Sequence, residues 1–278
     1  MEKEKNDNGT KGAMSLHLSG DIYLIRGEYD KALEYYQKSL ADTEKKCGKD
    51  HYITYIDLSN IGKVYVHMEK YDKALEYYQK ALAQKLKDPN KDKGKFPDGT
   101  AYIYDDIGNA YSNLGENEKA LENYQKALSI REKDFDPNHP IVATSYNEIA
   151  WTYCLLERYA EALPWAEKCV AACPLCPWFV DTLATAYQGL GRLEEALEQF
   201  ELCLKLKKEQ GSPQHTEESI HGSELKVTQF KELMKKQKVH RFVKFLTFSL
   251  VYFSYLLYFC TDIERINIRH EDIVSRTD

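Results

Sequence analysis

The stretch DIGNAYSNLGENEKALENYQKAL, Asp106–Leu128, decides the fold, because closely matching text occurs five times along the 278 residues. Its first half sets Ile107, Tyr111 and Leu114 on one helical face. Its second half sets Ala120, Leu121, Tyr124 and Leu128 on another, with Gly115 and Asn117 between them. The spacing predicts two short helices joined by a tight turn.

Outward from this unit, small residues recur on the first helix at Gly20, Gly62, Gly108, Ala150 and Ala184, and on the second at Ala32, Ala74, Ala120, Ala162 and Ala196. Small side chains at these positions let two helices approach closely, while tyrosines and leucines fill the remaining space. A two-helix unit of this size cannot bury its apolar faces alone, so neighbours must stack into a continuous, curved array with a groove along one side. Only 8 prolines and 14 glycines, with abundant Ala, Leu, Glu, Lys and Tyr, agree with an all-α chain.

These residues resemble the tetratricopeptide repeat over residues 13–210, which implies a right-handed superhelical solenoid of five helix-turn-helix units. From Gly20 to Gly62, Gly108, Ala150 and Ala184 the steps are 42, 46, 42 and 34 residues, and the longer ones resemble the kinesin light chain variety. The segment DPNHPIVATSYNEIA, Asp136–Ala150, strengthens that resemblance through its His-Pro, whereas GKDHYITYIDLSNIG, Gly48–Gly62, keeps His51 but has Tyr52 in place of proline. Pro140 suits a first helical turn, and Asp136 and Asn138 offer side-chain acceptors beside it.

Around the repeats, residues 1–12 are polar and read as a disordered amino terminus with no secretory signal. The insertion KDPNKDKGKFPDG, Lys87–Gly99, reads as a mobile surface loop. Residues 211–222 read as a linker and 223–241 as an amphipathic capping helix with Leu225, Val227, Phe230, Leu233 and Met234 on its apolar stripe. Residues 242–260 are almost uncharged and, as a helix, would reach roughly 28 Å, close to the thickness of a bilayer core. The expectation is a transmembrane helix, with a dimerising cap or an aggregation-prone tail as alternatives. Lys235, Lys236, Lys238, Arg241 and Lys244 ahead of it would keep the repeats cytoplasmic, leaving 261–278 as a short polar tail.

The chemistry-bearing residues point away from catalysis. The eight histidines form no HExxH helix or triad-like grouping, and no phosphate-cradling glycine loop occurs. The formal net charge of −6 disfavours nucleic acid as a partner. Seven cysteines at irregular spacing suit a reducing compartment. Cys173 and Cys176 form a CxxC that offers a thiol or zinc alternative, though its second half is missing, and Cys169 and Cys203 occupy small-residue packing positions. No cofactor is expected.

The resemblance implies a non-catalytic scaffold that binds a peptide or partner protein in a groove lined by the first helices, here anchored to a membrane. The alternative is a membrane-associated signalling module without its own output domain. Carried over by alignment, the groove face includes Met14, His17, Asp21, Ile56, Ser59 and Lys63, then Tyr102, Asp105 and Asn109. It continues through Asn147, Trp151, Trp178 and Asp181, and the residues expected to meet a partner are Lys63, Tyr102, Asp105, Asn109, Ser112, Asn113, Asn147 and Trp151. Asparagines can bond a peptide backbone through both donor and acceptor, and the aromatics can hold apolar side chains. The chaperone-binding subclass grips acidic carboxyl termini with a lysine and asparagine clamp; Asp105 stands where that clamp wants lysine. Neutral or basic peptides are therefore expected over acidic ones.

Overall fold

The structure, a computed structural model, describes residues 2–49, 51–87, 99–210, 217–239 and 244, with side chains from residue 12 onward. It divides into two units, residues 1–210 and 211–278. Among its described residues the first contains ten helices: α1 (Glu2–Ile25), α2 (Tyr29–Cys47), α3 (Tyr52–His67), α4 (Tyr71–Leu86), α5 (Gly99–Asn113), α6 (Asn117–Asp134), α7 (Pro140–Leu155), α8 (Tyr159–Ala172), α9 (Pro177–Gly189) and α10 (Leu193–Gln210). They pair as five successive hairpins, each odd-numbered helix packing on the even-numbered one that follows and that one on the next hairpin. Helix α1 also takes in residues 2–12, which carry no apolar period of their own.

Curvature follows from which helices meet across hairpins. α1 touches α3, α3 touches α5 and α7 touches α9, while no even-numbered pair of the described helices packs to that extent. The odd-numbered helices therefore form the inner, more closely spaced row, and their outward faces line the concave side.

Between the rows, Ala32, Ala74, Ala120, Ala162 and Ala196 are all fully buried. Of the small residues on the first helices, three are glycines for a specific reason. A Cβ on Gly20, Gly62 or Gly108 would come within 2.6 Å of the ring of Tyr36, Tyr78 or Tyr124. Each glycine is thus a notch through which a tyrosine from the second helix passes.

The turn inside each hairpin needs one residue with positive φ. Gly27, Gly115 and Gly191 fill it in the first, third and fifth hairpins, while Glu69 and Glu157 fill it at φ 58° and 57° in the second and fourth. At the start of α3 and α7 the caps are histidines: His51 Nδ1 accepts from the Ile53 amide at 3.4 Å and His139 Nδ1 from the Ile141 amide at 3.2 Å. The capping expected of Asp136 and Asn138 resolves differently, since Asp136 accepts from the Asn138 amide at 2.9 Å and shapes the preceding turn.

In the second unit the described residues are helical over 217–239, so the helix begins six residues before the expected 223, and Val227, Phe230 and Met234 are buried. The membrane expectation is corrected. Among the described residues no helix is long and apolar enough to cross a membrane. The segment 242–260 on which it rested lies outside the described residues apart from Lys244, as do 88–98 of the insertion and the tail 261–278. The transmembrane helix is accordingly dropped from the fold, and the anchor from the function, partners and localisation.

The zinc and thiol alternative is corrected too. No group of three or more His, Cys, Asp or Glu able to hold a metal occurs among the described residues. Cys173 and Cys176 are joined as a disulfide across the α8–α9 turn, with Cα atoms 5.8 Å apart. Cys169 and Cys203 are buried, their thiols directed at the carbonyls of Ala166 (3.1 Å) and Pro177 (3.2 Å), as packing residues should be.

Candidate binding groove

The inner row holds a pocket of about 390 Å³ formed by α1, α3 and α5. Met14, Ile56 and Tyr102 supply much of its apolar wall, and His17, Ser59, Asn60, Lys63 and Asp106 supply its polar groups. These positions share one face for a local reason. On α3, Ile56, Asn60 and Lys63 stand at i, i+4 and i+7, with Ser59 one position away from Asn60. Ile61, on the far side of the same helix, and Val64, between the two sides, are fully buried and fix which face turns inward.

Tyr102 is 43% exposed, and the Arg131 guanidinium sits 5.3 Å from its ring centroid, holding the aromatic upright at the pocket rim. Lys63 lies 3.5 Å from Asp106, and the Ser59 hydroxyl donates to the same carboxylate at 3.0 Å. Burial pushes the Asp106 carboxyl up, against the pull of Lys63 and Ser59. The pocket floor therefore presents a matched ion pair.

Two further networks tie the groove to the second row of helices. Tyr36 donates to Asp21 at 2.6 Å and Tyr124 donates to Asn109 Oδ1 at 2.7 Å, both hydroxyls arriving beneath the glycine notches. Burial raises both phenols well above their ordinary value, which keeps them as donors. His17 Nδ1 lies 2.7 Å from the fully buried Asp57 carboxylate, and Asn60 Nδ2 lies 3.4 Å from His17 Nε2.

Asp105 departs from its expected place. It is 8% exposed, and both its oxygens accept from Arg131 of α6, whose guanidinium also donates to Ser145 of α7. Glu148 of α7 completes the cluster. Burial, then the Asp105 charge, push its carboxyl well above its ordinary value, which favours the protonated form beside Asp105. A carboxylate one residue away from an exposed stripe reads as a groove group in sequence, but here it holds the third hairpin to the fourth.

Of the remaining expected residues, Asn109, Asn113 and Trp151 are exposed and Ser112 and Asn147 half-buried. The Asn113 amide donates to the Asn109 carbonyl at 2.8 Å, and Asn147 Oδ1 lies 4.0 Å from the Cys169 thiol. Tyr102 and Lys63 meet in the pocket, whereas these five lie outside its lining. Sequence reasoning passed over Asn60, Asp106, Arg131 and Glu148. For Asn60 the signal was present in its i+4 relation to Ile56. For Arg131, on a second helix among other charged residues, no sequence signal marks it.

Comparison with known proteins follows from this geometry. No curated protein matches the chain. Among solved structures, the nearly identical TPR-like repeats assigned to a kinesin light chain of Podosopora anserina superpose with a TM-score of 0.60 at 21% identity, covering 71% of this chain and 95% of that one. BtubC (BKLC) from P. vanneervenii gives 0.64 at 16% identity, covering 76% and 90%. MamA gives 0.51 at 21%, covering 69% and 96%. At these identities the fold is what is shared. The sequence profile described as tetratricopeptide repeat matches residues 13–87 and 99–174, and a second of the same description matches 181–210. With more than half its length accounted for in this way, the chain belongs to the tetratricopeptide-repeat family.

Proposed function

We propose that the chain is a non-catalytic interaction scaffold that holds a peptide segment of a partner protein along the inner row of helices. The observation that carries this reading is the pocket between α1, α3 and α5, apolar on its walls and polar along one edge, which suits one bulky apolar side chain with its backbone bonded to Asn60 and Lys63. Asn109, Ser112, Asn113, Asn147 and Trp151 extend the same face along α5 and α7 and would take the rest of the segment. Asp105 contributes from behind, by fixing Arg131 and hence Tyr102. The 42-residue steps and the histidine caps of α3 and α7 favour the kinesin light chain variety of the repeat.

The carboxylates nearest the pocket are already matched, Asp106 by Lys63 and Asp21 by Tyr36, so the preference for neutral over acidic peptides rests on occupied donors rather than on a surplus of negative charge. Selection from a random peptide library on the full chain tests the reading. Tyr102→Ser and Asn60→Ala should each weaken a selected peptide by about tenfold or more, as loss of an anchor contact worth ~1.4 kcal/mol would do. Selected peptides that bind both variants with unchanged affinity would mean that the pocket is not the binding site.

A further inference from the structure

The polar edge of the pocket contains a group able to change its hydrogen-bonding sense. His17, on α1, has a side chain only 20% exposed, with Nδ1 2.7 Å from Asp57 of α3. Burial raises the Asp57 carboxyl and the His17 hydrogen bond and charge pull it back; as the carboxylate it only accepts, so Nδ1 carries the proton in both the neutral and the charged ring. The state of Nε2 is then free to vary. In the neutral ring Nε2 is an acceptor, and Asn60 Nδ2 at 3.4 Å is its donor. In the charged ring Nε2 carries a hydrogen, for which Asp21 Oδ2 at 3.8 Å is the nearest carboxylate and against which Asn60 Nδ2 becomes a clash of donors.

We propose that His17 selects which end of the Asn60 amide faces the pocket, so that the groove takes ligand groups that donate when the ring is neutral and ligand groups that accept when it is charged. The inference rests on the pocket being a binding site. With the ring neutral, Asn60 spends its N–H on His17 and leaves Oδ1 for a ligand. With the ring charged, the amide turns, Oδ1 takes the Nε2 hydrogen and Nδ2 is left for a ligand carbonyl. A half-buried side chain that lines the pocket is free enough to make that turn.

The surroundings set the direction of the switch. Facing His17 are Asp21 on its own helix, Tyr36 of α2, whose ring packs edge-on at 5.5 Å, and Asp57 and Lys63 of α3. Burial lowers the affinity of the ring for its proton, but the hydrogen bond and charge of Asp57, with Asp21 behind them, outweigh burial and Lys63, and the ring titrates above its ordinary value of 6.5. The accepting-ligand state is therefore the one present below that point, and it is lost as pH rises through it.

Two neutral probes separate the senses: acetophenone, which only accepts, and indole, which only donates. Their binding to the full chain is followed by nuclear magnetic resonance at pH 5.5 and pH 9, together with the Asn60 side-chain amide signal. Acetophenone should bind about threefold or more tightly at the lower pH and indole by a similar factor at the higher, the worth of one hydrogen bond. The Asn60 signal should move with the same midpoint as the His17 ring. In His17→Gln, which keeps a donor for Asp57 but cannot titrate, both pH dependences should vanish. Probes that shift Ile56 and Tyr102 yet show flat or same-signed pH dependence overturn the switch alone, as does an Asn60 signal that ignores His17. Probes that shift neither residue at either pH overturn the pocket and the switch together.

Discussion

The first three hairpins and the last two solve the same crossing differently. In the first three, a glycine on the inner helix admits a tyrosine from the outer one, and at Tyr36 and Tyr124 the hydroxyl emerges among the groove residues and fixes Asp21 and Asn109. In the fourth, Ala150 and Ala166 share a small apolar cluster with Leu183, and in the fifth alignment sets Ala184 against Phe200. No hydroxyl is delivered in either. The difference teaches that the repeat's small residue is not only a means of close approach: at Gly20 and Gly108 the outer helix reaches through and its tyrosine hydroxyl bonds a side chain of the inner helix. The polar pocket lies wholly among the hairpins that do this, while the fourth and fifth present the exposed indoles Trp151 and Trp178 instead.

The two halves are joined at Arg131, and removing it is the largest perturbation expected. Arg131→Met strands the buried Asp105 carboxylate, a change that costs about 3–5 kcal/mol where one partner of a buried pair is lost. Urea unfolding should show that loss, and adding Asp105→Asn should recover a large part of it. Failure of the second substitution to help would mean that Arg131 matters for its contact with Tyr102 rather than for charge.

Next comes the notch itself. Gly108→Ala gains roughly 1 kcal/mol in helix propensity but drives a methyl to 2.6 Å from the Tyr124 ring, and overfilling of a tight core costs about 1–3 kcal/mol or more when a ring must move. A net loss of stability is expected, whereas in a Tyr124→Ala background, which itself costs about 3–5 kcal/mol, the same Gly108→Ala change should become stabilising, as in the Ala150 and Ala166 arrangement. The reciprocal Ala150→Gly should cost only about 1 kcal/mol, the propensity difference. Equal effects at the two sites would erase the distinction drawn here.

Much of this arrangement is written in the order of residues, and the exceptions share a cause. The five hairpins follow from Gly20, Ala32, Tyr36 and their counterparts, because helical period and small-residue spacing are local properties. That Tyr102 and Lys63 lie on the face that carries the pocket was legible for the same reason. Asp105 was not, because its burial depends on Arg131, 26 residues away on another helix. Glu148 was missed likewise, its proton being set by a neighbour in a different hairpin. The apolar run 242–260 invited a membrane reading from its length, its lack of charge and the basic residues ahead of it; it lies outside the described residues apart from Lys244, and no described helix supports that reading.

Glu148 gives this junction its own pH dependence. Burial and the Asp105 charge hold its carboxyl above its ordinary value of 4.5 in the folded chain. Between the ordinary value and the raised one the folded state binds more protons, so stability falls as pH rises, by up to about 1.4 kcal/mol per pH unit for one such group. Glu148→Gln, which keeps a donor toward Asp105, should flatten that slope and leave the variant more stable than the parent at pH 8. Thermal unfolding at pH 5 and pH 8 reads this directly, and a parent whose stability is level across the interval would contradict a shared proton.

The smallest effect is also the sharpest test of what the glycine notch is for. Tyr124→Phe leaves the ring beneath Gly108 and removes only the hydroxyl that donates to Asn109 Oδ1 at 2.7 Å. If the notch serves packing alone, stability and groove should both be unchanged, since the apolar contacts survive. If it delivers a donor, loss of one largely buried hydrogen bond should cost about 0.5–1.5 kcal/mol. The Asn109 side chain should at the same time lose its fixed orientation, seen as a shift and narrowing of its amide signals toward those of a free asparagine. Leu183 packs with Ala150 and Ala166 of the hairpin that receives no hydroxyl, so its methyl signals should not move. A response confined to Asn109 would separate the ordering of the binding face from the stability of the fold.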